Sequence, residues 1–72
     1  MAAEAPADPR VEALYAAIRR LPPVHRSLIS LHLDGYSHRE IGDLIGASEG
    51  AVATRLHRVR ERLRAYLQPQ TT

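Results

Sequence analysis

Between Val52 and Leu67 only one regular structure is open to this chain. Val52, Leu56, Val59, Leu63 and the Tyr66-Leu67 pair recur in alternating steps of four and three. That spacing stacks side chains on one side of an α-helix, whereas a strand would throw them to opposite faces. The rest of the surface carries Arg55, Arg58, Arg60, Arg62 and Arg64, offset only by Glu61. The apolar stripe has to dock on a core, and the basic remainder has to face water or a polyanion. The other segments must therefore supply a surface for this helix to pack on.

They read as three further helices. Val11, Leu14, Tyr15, Ile18 and Leu21 form one stripe over about Arg10 to Leu21, and Pro22-Pro23 ends it by disfavouring helical geometry at the preceding residue. A second helix starts at Pro23 or Val24, where proline suits the first turn, and runs to about Asp34. Val24, Leu28 and Leu31 make its expected inner seam, widened by Ile29 and Leu33, and Gly35 supplies the left-handed position after its end. The third start is the best marked. Ser37 and Glu40 spell a capping box, and Tyr36 stands where a hydrophobic staple would meet Ile41. Ile41, Leu44 and Ile45 make its apolar face, Gly46 closes it, and Ser48 caps the fourth helix with Glu49 in the first turn. Small Gly42 would let this last pair cross closely.

The expected fold is all-α, a four-helix domain containing a helix-turn-helix over the third and fourth helices. The domain is expected over residues 10–67, with a disordered arm or linker at 1–9 and a disordered tail at 68–72. Its expected core is Leu14, Ile18, Leu28, Leu31, Ile41, Leu44, Val52, Leu56 and Val59. With no cysteine there is no disulfide or thiolate metal site to help, so packing must supply the stability of these 72 residues. No apolar run approaches the roughly 20 residues that span a bilayer, and the first residues lack the basic start and apolar stretch of a signal peptide. A monomeric, cytoplasmic domain with no membrane contact is the expectation.

Charge is unevenly spread. Residues 1–49 carry five arginines against seven acids, and residues 50–72 carry five arginines against one acid. A basic C-terminal third is the footprint of nucleic-acid binding. At about 100° per residue, Ala53, Thr54, His57 and Arg58 lie away from the apolar stripe in the first turns of the fourth helix, the part that enters a major groove in such motifs. Arg58 can fork onto guanine, Thr54 can hydrogen-bond a base edge or touch a thymine methyl, and His57 can donate to a base or a phosphate. Arg55, Arg60 and Arg62 flank that face and suit phosphates, as do Ser48 and Gly50 at the helix start. A solvated basic face with pairing to Glu61 is the ordinary alternative, and the capped frame in front of the helix weighs against it. Gly50 has two explanations as well, close approach of a DNA backbone or a tight turn. No nucleophile, phosphate loop or carboxylate pair suggests catalysis, and neither a metal nor a cofactor is expected. His25 and His32, seven residues apart, read as surface histidines.

Leu21-Pro-Pro, Gly35-Tyr-Ser-His-Arg-Glu-Ile-Gly42, Ile45-Gly-Ala-Ser-Glu-Gly-Ala-Val52 and Arg55-Leu-His-Arg-Val-Arg-Glu-Arg-Leu63 together carry a family likeness. Over about residues 11–67 the chain closely resembles region 4, the C-terminal promoter-recognition domain, of sigma-70-family factors of the extracytoplasmic-function group. The resemblance implies double-stranded DNA bearing the −35 promoter element as ligand. It also implies docking on the flap of the RNA polymerase β subunit and an anti-sigma factor as a further partner. Family members often carry a basic residue where this chain has Ala53, which implies one base contact fewer. The domain that grips core polymerase and melts the −10 element has no counterpart, so the chain reads as an excised piece of a longer factor, with residues 1–9 as interdomain linker, rather than a stand-alone protein. Two other readings stand beside this one: a sigma mimic that occupies an anti-sigma factor without reading DNA, and a LuxR-like DNA-binding effector domain.

Overall fold

A computed structural model describes residues 8–68. They form four helices: α1 (Pro9–Arg20), α2 (Pro23–Leu33), α3 (His38–Ile45) and α4 (Glu49–Leu67). The all-α, four-helix expectation holds, with α3 and α4 as its helix-turn-helix. The first helix begins earlier than its stripe suggests. Asp8 accepts a hydrogen bond from the Arg10 amide, and Pro9 sits in the first turn. The last two residues of the expected arm are thus part of the helix start. The remainder of that arm and nearly all of the expected tail, 1–7 and 69–72, lie outside the described residues.

The punctuation does what its chemistry dictates. Leu21, held extended before Pro22, ends α1 and turns its own side chain into the core. After α2, Gly35 has φ +97°, its N–H reaches the His32 carbonyl and the Tyr36 N–H reaches that of Leu31. Those two bonds make a Schellman motif, which uses carbonyls the helix end would leave unpaired. Ser37 and Glu40 form both halves of the capping box, at 3.0 and 2.9 Å. The Ser37 amide holds the Glu40 carboxyl below its ordinary range. Gly46, at φ +75°, closes α3, and the N–H groups of Gly46 and Ala47 both reach the Gly42 carbonyl. Gly42 itself is buried against the turn, where a Cβ would run into the backbone carbonyl oxygen of Ala47. The need for a small residue there is real, but the close neighbour is the turn between the helices rather than the body of α4.

Helix α4 is the hub. It packs on α1, α2 and α3, while α1 and α3 do not meet. Val52, Leu56 and Val59 on α4 are fully buried with Leu28 and Ile41, and Ala17, Ile18, Leu21, Ile29 and Leu63 complete the core. Leu14, Leu31, Ala47 and Tyr66 pack against its edge. At the far end, the Arg20 guanidinium lies 4.0 Å over the Tyr66 ring and ties α1 to α4.

Three seams depart from their expected positions. Leu44, expected in the core, is 61% exposed. On the two-turn α3 the buried side is centred between Ile41 and Gly42, because Gly42 must meet the turn; Leu44 then falls about 110° away. On α2 the buried pair is Leu28 and Ile29, which turns Val24 out to 64% exposure and brings His25 and His32 inward. Both histidines are half-buried rather than on the open surface, and the Nδ1 atom of His25 is buried without a hydrogen-bond partner among the described residues. Likewise Tyr15 leaves the α1 seam, which runs through Leu14, Ala17, Ile18 and Leu21.

Candidate nucleic-acid interface

The geometry of the interface starts at Ser48. Its hydroxyl oxygen accepts from the Ala51 amide at 3.1 Å, which fixes where α4 begins. From that start 19 residues run without interruption. Val52, Leu56, Val59 and Leu63 pin the helix to the core along one stripe. Everything opposite that stripe is presented outward by default.

Thr54, His57 and Arg58 are all exposed on that outer face. Ala53, at its edge, is half-buried. The Thr54 hydroxyl donates to the Gly50 carbonyl oxygen at 3.1 Å, one turn back. Gly50 is exposed, and nothing lies within 4 Å of where a Cβ would stand. Gly50 lies inside α4 with no positive φ, so a tight turn does not explain it.

The arginines divide into two sets. Arg55, Arg58 and Arg62 are exposed and make no side-chain hydrogen bond or ion pair among the described residues. Arg64 pairs with Glu61 at 2.6 Å across three residues, an exposed ion pair of small energetic weight. Arg60 turns toward α2, where its Nη2 lies 3.0 Å from Nε2 of His32. A guanidinium only donates, so His32 accepts and its own proton must sit on Nδ1. Burial, then Arg60 and then His38 push the His32 pKa below its ordinary value. The His38 ring stands 5.8 Å from that of His32, so side chains of α2, α3 and α4 converge here. The sequence pattern alone does not bring His32 into this site. The usable signal was its position one turn beyond Leu28, on the same buried side as His25.

The sequence that builds this surface, a capped helix-turn-helix whose second helix presents exposed arginines, matches known proteins. A family model described as sigma-70, region 4, matches residues 11–63. The chain belongs to the sigma-70 region 4 family. That family is one of DNA-binding transcription domains, not of enzymes, and membership takes the place of the LuxR-like alternative. Two relatives agree. The ECF RNA polymerase sigma factor SigE of Mycolicibacterium smegmatis is 44% identical over 55 residues, which are 75% of this chain and 21% of that protein. The RNA polymerase sigma factor CarQ of Myxococcus xanthus is 44% identical over 55 residues, again 75% of this chain and 32% of that protein. The chain thus spans about a fifth to a third of the curated relatives it matches. No solved structure matches it. No helix among the described residues is long and apolar enough to cross a membrane.

Proposed function

We propose that this region 4 domain binds the −35 promoter element and helps direct RNA polymerase to promoters, acting as a monomer. The observation that carries the reading is the outer face of α4. Thr54, His57 and Arg58 are exposed there, and Arg55 and Arg62 beside them have no side-chain partner among the described residues. With the first turns of α4 in the major groove, Arg58 forks onto guanine O6 and N7, and Arg55 and Arg62 meet phosphates on one rim. The Ser48 hydroxyl keeps its hydrogen for a phosphate while its oxygen caps the helix, and bare Gly50 leaves room for the backbone. Arg60 reaches a phosphate only by leaving His32. Phosphate contacts give affinity and the few base contacts give register. Promoter direction in this reading also takes the flap of the polymerase β subunit as a docking partner and an anti-sigma factor as antagonist.

The test is binding of the chain to duplexes with a randomised upstream element. If about four phosphates are neutralised, the log–log slope against salt is near −3.6, roughly a hundredfold loss between 50 and 200 mM. Binding that ignores salt contradicts the reading. No binding at low salt, together with capture by an anti-sigma factor, turns the domain into a sigma mimic.

A further inference from the structure

We infer that Thr54 reads DNA as a hydrogen-bond acceptor, so that the domain selects an adenine or cytosine, through its exocyclic amino group, next to the guanine taken by Arg58. This rests on the DNA-binding reading above and adds a specificity to it. A threonine hydroxyl has a single hydrogen to donate and two lone pairs to accept with. Here that hydrogen is committed to the Gly50 carbonyl oxygen at 3.1 Å. Threonine is stiff at χ1, and a helix leaves it two main rotamers, one of them held by this kind of back-bond. What remains for an incoming base edge is oxygen that can only accept. The major-groove groups that donate are the amino groups of adenine and cytosine, while guanine presents two acceptors and thymine an acceptor and a methyl.

The surroundings favour use of that acceptor. Gly50 and Thr54 are exposed one turn apart on the side of α4 opposite Val52 and Leu56. Since Gly50 carries no side chain and open space surrounds it, Thr54 is the first side chain along this ridge that a base edge meets. One turn further, Arg58 is exposed and only donates. The ridge therefore presents an acceptor and then a donor fork, about 6 Å apart along the axis. Its complement is an amino-bearing base within one or two base pairs of a guanine.

The experiment selects duplexes from a randomised upstream element with the intact chain, then deletes one atom group from each partner. On the DNA side, purine replaces a selected adenine, or an amino-free pyrimidine replaces a selected cytosine. On the protein side, Thr54→Ser keeps the hydroxyl and loses the methyl, and Thr54→Val keeps the methyl and loses the hydroxyl. Expected is selection of adenine or cytosine beside guanine. Removing the amino group should weaken wild type and Thr54→Ser about fivefold to tenfold and leave Thr54→Val indifferent. Selection of thymine that survives in Thr54→Val and fails in Thr54→Ser assigns the contact to the methyl group and overturns the inference. Selection of guanine alone, unaltered by either variant, overturns it too while leaving the domain a DNA reader. Loss of all duplex binding in the wild type at low salt removes the DNA-binding reading itself, and this inference with it.

Discussion

The two flanks of α4 carry the same side chain in different states. On one flank Arg55 and Arg62, with Arg58 toward the outer face, are exposed and unpaired within the described chain. On the other, Arg60 is donated to His32 and Arg64 is paired with Glu61. The five arginines are one basic cluster in the sequence but two populations in the fold. Helix α2 lies against the second flank and brings an acceptor within reach of Arg60. The lesson is that a count of cations overstates the guanidinium groups free to meet a polyanion, because a neighbouring helix engages Arg60 and an acid on α4 itself engages Arg64.

The largest effect expected comes from the seam between the flanks, on which both depend. Leu56 is fully buried at the centre of the core, and its truncation removes transfer free energy and leaves a cavity. Leu56→Ala should cost about 2–5 kcal/mol, which threatens so small a domain. Chemical denaturation followed by circular dichroism checks this. An unchanged midpoint would mean that α4 is not anchored by that stripe, and the division into two flanks would fall with it.

Next in size is the comparison of the flanks themselves. Arg58→Ala should lose about 1–3 kcal/mol on the preferred site and relax selection at one or two base pairs. Arg62, a turn further along where a straight helix leaves the groove, should behave otherwise: Arg62→Ala weakens all sequences alike and makes the salt slope shallower by about one unit. Arg64→Ala, on the paired flank, should alter the slope by clearly less. Equal slopes for Arg62→Ala and Arg64→Ala would show that internal pairing does not decide which arginines meet phosphate.

Most of the fold was legible because it is local. The capping box of Ser37 and Glu40, the left-handed Gly35 and Gly46 and the Ser48 cap are each set within four or five residues, and all formed as their chemistry requires. The long stripe of α4 held from Val52 through Leu63 to Tyr66, since four turns of period average out any single exception, and it failed only at the helix end, where Leu67 is exposed. Short helices offered less. On α3, Leu44 carries the apolar signal, but Gly42 takes the buried side because it must fit beneath the Ala47 carbonyl. A glycine adds nothing to a hydrophobic pattern, so the rotation left no trace in it. Histidine is ambivalent in the same way, so the apolar pattern of α2 points to Val24 on the buried side where the fold has His25. In the site, the exposure of Thr54, His57 and Arg58 was legible from the helical wheel. The commitment of the Thr54 hydroxyl follows from a rotamer, and that of Arg60 from a partner 28 residues away. Neither is a matter of period.

Gly50 sharpens the comparison from the end of the helix where the flanks begin. A methyl added there meets nothing within 4 Å. Gly50→Ala should therefore raise stability by up to about 1 kcal/mol through helix propensity alone. If a DNA backbone comes close at this point, the same substitution weakens duplex binding. Opposite signs in thermal melting and DNA titration are the expected pair. A variant both more stable and equally tight would show that Gly50 makes no room for anything.

The smallest effect expected is one of pH, and it probes what holds Arg60 on its flank. His32 must be neutral to accept from Arg60, and burial, Arg60 and His38 all lower its pKa from 6.5. The folded protein thus resists a proton that the unfolded chain takes up near the ordinary value. Above that value both states are neutral and nothing is gained or lost. As pH falls through it toward the lower folded pKa, the unfolded chain binds more protons and stability declines. Glutamine at this position does not titrate and still offers an oxygen to the guanidinium. Melting midpoints of wild type and His32→Gln should therefore run parallel above pH 7 and separate below it, with the wild type falling faster toward pH 5.5. The other histidines are common to both proteins, so the difference belongs to His32. Curves that stay parallel throughout would show that protonation there costs the fold nothing, and that Arg60 does not depend on a neutral partner to stay against α2.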